Sequence, residues 1–118
     1  MRCKRVLIAD DNQDGASALS ALVAHWGHEV TVAQNGREAV MTAKAFHPDV
    51  AILDLDMPLM DGFEAARALR NREAHALIIA LTGLPPALLP GRMLDSCFDH
   101  QFCKPISAEQ LRLLLDDD

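Results

Sequence analysis

The chain has 118 residues, half of them apolar and 24% charged, with a formal net charge of −6. That length supports one domain with one hydrophobic core, and the composition is that of an ordinary soluble globular protein. No apolar run approaches the roughly 20 residues a membrane-spanning helix needs. The acidic balance argues against nucleic-acid binding through a general electrostatic footprint.

The N-terminus is basic, but the apolar stretch after it stops at Asp10-Asp11, so it reads as a first strand and not as a secretion signal. Cys3, Cys97 and Cys103 are odd in number and lack metal-ligand spacing, as expected of reduced thiols in a cytosolic protein. The runs RVLIA (from Arg5) and DVAIL (from Asp49) are short and almost wholly apolar, the pattern of strands covered on both faces. Between them, HEVTVAQ (from His28) alternates and is β-branched, which suits a strand nearer an edge. LIIAL (from Leu77) predicts a fourth strand and HQFCK (from His100) a shorter fifth.

Helical spacing fills the intervals. Ala18, Leu19, Leu22 and Val23 predict a first helix stopped at Gly27. Ala39, Val40, Ala43 and Phe46 predict a second, ended by Pro48, and Phe63, Ala66, Leu69 and Arg70 a third. Pro85, Pro86 and Pro90 forbid a regular helix through the next segment, although a short one can start near Pro90. The last helix runs from about Ser107 through Leu115, with Ser107 as N-cap and Gln110 at the capping-box position. Five strands alternating with five helices predict an α/β fold, a doubly wound five-stranded parallel sheet joined by right-handed crossovers. No repeat, linker or second domain interrupts residues 1–118.

Four of the apolar runs end in groups that can do chemistry. Asp10 and Asp11 close the first, Asp54 the third, Thr82 the fourth, and Lys104 the fifth. Ligands bind in the crevice beyond the carboxyl ends of parallel strands. Parallel neighbours would therefore gather three carboxylates, a hydroxyl and an ammonium in one pocket, suited to one divalent cation and one phosphoryl group. Two carboxylates about 4 Å apart repel by roughly 4 kcal/mol at an effective dielectric near 20, so the acidic pair needs a cation or a shared proton. Magnesium favours oxygen ligands of this kind. The same Asp-Asp-Asn also suits a plain helix cap.

Asp54 at the end of a buried strand can act as a nucleophile towards phosphorus, giving an acyl phosphate. Asp56 would offer its backbone carbonyl to the same metal, and Met57-Pro58 and Asp61-Gly62 suit a turn. Thr82 would donate its hydroxyl to a phosphoryl oxygen, Gly83 leaves the backbone open to close approach, and Lys104 brings a positive point charge. Singly each has a bland explanation; jointly they are hard to assemble by chance.

These residues carry a resemblance. Asp10-Asp11, LDLDMPLMDG, ALTG and Lys104-Pro105 resemble, in order and spacing over essentially the whole chain, the receiver domain of two-component response regulators. That resemblance implies the flavodoxin-like receiver fold. It also implies that Asp54 accepts a phosphoryl group from a histidine kinase or a histidine phosphotransfer partner, the domain catalysing its own phosphorylation. It implies Mg2+ (or Mn2+) bound by Asp11, Asp54 and the Asp56 carbonyl, with Asp10 assisting through water. Thr82 and Lys104 would contact the phosphoryl group, and the Lys104-Pro105 bond would be cis. The C-terminal stretch looks most like receivers attached to hybrid sensor histidine kinases, which leaves open whether the chain is a stand-alone regulator or one domain of a longer kinase.

One departure concerns the switch. Receivers usually carry an aromatic residue three positions before the lysine, where this chain has Gln101; Phe102 beside it alternates to the other face. Two other functions fit parts of the pattern. One is a receiver-fold interaction module that is not switched by phosphorylation. The other is a haloacid-dehalogenase-type phosphatase with Asp54 as nucleophile and Asp56 as acid/base, although that motif belongs on a first strand. His25, His28, His47, His75 and His100 lack ligand spacing, and Trp26 is expected to pack at the end of the first helix.

Overall fold

A computed structural model of the chain describes residues 3–55, 62–72, 75–83, 98–104 and 106–116. Five strands, β1 (Arg5–Ala9), β2 (Glu29–Ala33), β3 (Val50–Asp54), β4 (Leu77–Thr82) and β5 (His100–Cys103), form one parallel sheet in the order β2-β1-β3-β4-β5. The central strand β3 is buried at every position, whereas β2 and β5 at the edges are mostly exposed or half-buried. This matches the apolar run of DVAIL and the alternation of HEVTVAQ.

Four helices lie among the described residues: α1 (Gln13–His25), α2 (Gly36–Phe46), α3 (Gly62–Arg72) and α4 (Ala108–Asp116). Residues 84–97, where a further short helix is expected near Pro90, lie outside the described residues, as do Asp56, Met57, Pro58, Asp61, Cys97 and Pro105.

Side chains alternate along each strand and so build two cores. Leu7, Ala9, Ala51 and Leu53 pack with Ala39, Ala43 and Phe46 of α2 and with Ala65, Ala66 and Leu69 of α3. Val6, Ile8, Val50, Ile52, Ile79 and Leu81 pack on the other face with Ala16 and Val23 of α1 and Leu111 and Leu115 of α4. The buried stripe of α1 is shifted from the expected one. Ala16 and Val23 are buried, Leu19 and Leu22 half-buried, and Ala18 is exposed.

Capping sets the helix boundaries. The Asn12 side chain accepts hydrogen bonds from the Asp14 and Gly15 N–H groups, and Gly27 takes the left-handed conformation just after α1, with φ of +94°. Asn35 caps α2, and His47, at φ of 51°, ends it before Pro48. Ser107 and Gln110 form the reciprocal capping box at α4: the Gln110 N–H donates to Ser107 Oγ at 3.0 Å and the Ser107 N–H to Gln110 Oε1 at 3.3 Å.

Candidate functional site

Backbone hydrogen bonds bring the strand ends to a common edge. The Asp10 N–H donates to the Ala33 carbonyl, the Leu55 N–H to the Leu81 carbonyl, and the Lys104 N–H to the Thr82 carbonyl. Asp10 follows β1, Asp54 closes β3, Thr82 closes β4 and Lys104 follows β5. The expected convergence of the four strand ends is therefore present.

At the centre lies Asp54, only 1% exposed. Its Oδ2 forms a 2.7 Å ion pair with Lys104 Nζ. Asp10 and Thr82 are also buried, at 7% and 2%, while Asp11 is exposed. The Asn12 N–H donates to Asp10 Oδ1 at 2.9 Å, a local turn that aims the Asp10 carboxylate back into the crevice. Asp10, Asp11 and Asp54 each offer an oxygen, and these oxygens lie within 4.8 Å of one another.

Burial pushes the Asp10 carboxyl above the ordinary carboxylate range, and its hydrogen bond and charge repulsion with Asp54 push the same way. The Asn12 N–H and the Lys104 ammonium oppose the shift without cancelling it. One lysine thus faces two buried acids. This acidic excess, built only of oxygen donors, fits a hard divalent cation such as magnesium.

The sequence matches the family model described as response regulator receiver domain over residues 6–116. The chain belongs to the response regulator receiver family. Among its relatives, the regulatory protein AtoC of Escherichia coli is 33% identical over 112 residues, 94% of this chain but 24% of that protein. The sensor protein GacS of Pseudomonas syringae is 35% identical over 115 residues, covering 93% of this chain and 13% of that protein. The chain thus spans well under half the length of these curated relatives. The crystal structure of the receiver domain of sensor histidine kinase PA1611 from Pseudomonas aeruginosa superposes with a TM-score of 0.83 at 27% identity, covering 97% of this chain and 95% of that one. That structure has a magnesium ion coordinated in its active site cleft.

The chain is a receiver of two-component signalling, and the phosphatase reading of Asp54-Leu55-Asp56 gives way to it. Asp54 ends the third strand, at the middle of the sheet, rather than a first strand. Gln101 is exposed, and Phe102 packs on the opposite face against the α1/α4 core, as alternation predicts. The Lys104-Pro105 bond and the Asp56 carbonyl fall outside the described residues.

Two features were not foreseen. His28, one of the histidines without ligand spacing, is buried, and its Nδ1 accepts the Lys4 N–H at 3.0 Å. Arg70, placed on the apolar side of a helical pattern, instead reaches Asp99 at 2.6 Å and the Ala76 carbonyl at 2.8 Å. Both depend on neighbours distant in sequence, and neither leaves a local signal.

Proposed function

We propose that this receiver accepts a phosphoryl group on Asp54 from a phosphohistidine of a histidine kinase or a histidine phosphotransfer domain. The observation that carries this reading is the buried Asp54 carboxylate, held at 2.7 Å by Lys104 and flanked by two further acids. An unpaired carboxylate buried this deeply would be costly; the Lys104 ammonium supplies its counter-charge at 2.7 Å, and a carboxylate oxygen is the atom that would attack phosphorus. In the step, a P–O bond forms to Asp54 as the P–N bond of the donor breaks, and the imidazole nitrogen retains the bonding pair.

Asp11 and Asp54, with the Asp56 carbonyl, would hold the magnesium ion directly, and Asp10 would assist through water. When bound, the ion supplies positive charge that offsets the negative charge of the transferring group. Lys104 contributes a point charge to a phosphoryl oxygen. The Thr82 hydroxyl, at the end of the adjacent strand, donates to another. Burial of Asp54, Asp10 and Thr82 keeps these interactions in a low-dielectric setting where fixed charges act most strongly.

Incubation with acetyl phosphate and magnesium tests the assignment. One alkali-labile phosphoryl group per chain is expected on intact-mass analysis, and Asp54→Asn abolishes it. Labelling of Asp54→Asn to the same stoichiometry would place the nucleophile elsewhere. No labelling of the natural chain by any donor would favour the unswitched interaction module.

A further inference from the structure

His28 lies at the rim of the sheet opposite the acidic centre, in the turn that leads from α1 into β2. Its ring is buried, and its Nδ1 accepts the Lys4 N–H at 3.0 Å. An accepting Nδ1 places the proton of a neutral ring on Nε2. Nε2 is buried with no hydrogen-bond partner among the described residues. The next residue continues the same seam: the Glu29 N–H donates to the Lys4 carbonyl at 3.0 Å, and Glu29 opens the β1–β2 ladder opposite Arg5. β2 is an edge strand that pairs only with β1, so the His28 ring holds the start of a strand with one neighbour. The turn also has a pivot. Gly27 takes φ of +94°, is exposed, and has open space where a side chain would stand. Around the ring, the buried Lys4 and the exposed Asp116 at the end of α4 act with opposite signs. Asp116 pairs with Arg112 at 3.7 Å, Glu29 pairs with Arg5 at 3.4 Å, and His25 in the last turn of α1 is exposed.

We propose that His28 is an acid-released latch: a proton on Nδ1 expels the ring from the Lys4 backbone, and the turn between α1 and β2 opens on Gly27. The protonated ring carries N–H on both nitrogens. In place, one would face the Lys4 N–H, donor against donor, and the other would have no acceptor among the described residues. The Lys4 charge repels the cation as well. Outside, water accepts from both nitrogens and Asp116 attracts the charge. The ring thus has two places, neutral inside and charged outside, and pH sets the balance between them. Burial and then the Lys4 charge depress its pKa, and Asp116 opposes them. The latch is therefore closed above pH 6.5, the ordinary histidine value, and is released as pH falls through the lower folded value. Release separates the start of β2 from that of β1 and leaves the opposite strand ends paired. It does not depend on Asp54 being the phosphoacceptor.

Imidazole nitrogen-15 shifts and amide exchange, read by NMR on the full chain as pH is lowered from neutral, test the latch. At neutral pH, His28 is expected to be the tautomer protonated on Nε2. Below pH 6.5, the protection factors of the Lys4 and Glu29 amides are expected to fall about tenfold per pH unit, because opening takes up one proton. Those of Ile52 and Ile79, inside the sheet, are expected to hold. His28→Gln keeps an acceptor for the Lys4 N–H but cannot titrate, so its protection factors should not change with pH. Asp116→Asn should move the fall to lower pH. A neutral His28 protonated on Nδ1, or constant Lys4 protection while the ring titrates, would overturn the proposal. So would an equal fall at Ile52 and Ile79, which is global unfolding, or the same slope in His28→Gln. If that variant does not fold, the tautomer and the slopes in the natural chain decide alone.

Discussion

His28 shows how one buried side chain ties pH to stability. Its Nδ1 accepts the Lys4 N–H, which requires an unprotonated nitrogen there, and its Nε2 is buried without a hydrogen-bond partner among the described residues. Burial holds its pKa below the ordinary histidine value; the Lys4 charge adds to this and Asp116 opposes it. The folded-state pKa is depressed, so the contribution of His28 to stability is present above the unfolded value of 6.5 and is lost as pH falls through the folded one. Asp10 behaves oppositely: its pKa is raised, so in metal-free protein its contribution weakens as pH rises above 3.8. In denaturant melts without magnesium, His28→Gln, whose amide oxygen can accept the Lys4 N–H but cannot titrate, is expected to lose less stability than the natural chain between pH 7 and pH 5. Parallel losses in the two proteins would show that His28 does not titrate in that window.

At the level of elements, the weak member is β5, four residues at a sheet edge. Asp99 holds its beginning. The Asp99 carboxylate accepts the Ile78 N–H at 2.8 Å, and its own N–H donates to the Ile78 carbonyl at 2.7 Å. Arg70, near the end of α3, bonds the same carboxylate and the Ala76 carbonyl, so one guanidinium joins a helix to two strand entries. Both partners are partly exposed, at 26% and 39%, which screens the pair, but its two-fold attachment resists the discount applied to simple surface pairs. Arg70→Ala is expected to cost about 1.5–3 kcal/mol, the range for hydrogen bonds to charged groups. Amide exchange should speed up in β5 before β1 or β3. Uniform acceleration across the sheet would show that β5 is not a separately held element.

At the level of the whole molecule, the acidic centre trades stability for chemistry. Asp10 and Asp54 are buried side by side with a single lysine between two carboxylates, and a cation bound by the folded state alone offsets that repulsion. Magnesium at a hundredfold excess over its Kd is expected to stabilise the domain by about 2.7 kcal/mol. Asp11 is exposed and lies outside the Asp54–Lys104 ion pair. Asp11→Ala should therefore leave the metal-free thermal midpoint almost unchanged and remove most of the magnesium-induced rise. A full rise in the variant would show that Asp11 is not a metal ligand.

What the sequence determined by itself was local. Among the described residues, the apolar runs bounded by charged or turn residues became strands or helices close to their expected limits, because burial and capping act over a few neighbouring residues. Asp10, Asp54, Thr82 and Lys104 could be read as a site because each one terminates such a run. The tertiary structure decided which ends meet. The order β2-β1-β3-β4-β5 places Asp54 between β1 and β4, and only that order sets Lys104 at 2.7 Å from it. It also decided that Asp10 is buried against Asp54 while its neighbour Asp11 is exposed, which adjacency in sequence cannot distinguish. The buried His28 and the Arg70–Asp99 clamp belong to the same class. Each is made by residues brought together across the fold, and contacts between distant positions leave no periodicity in the chain that makes them.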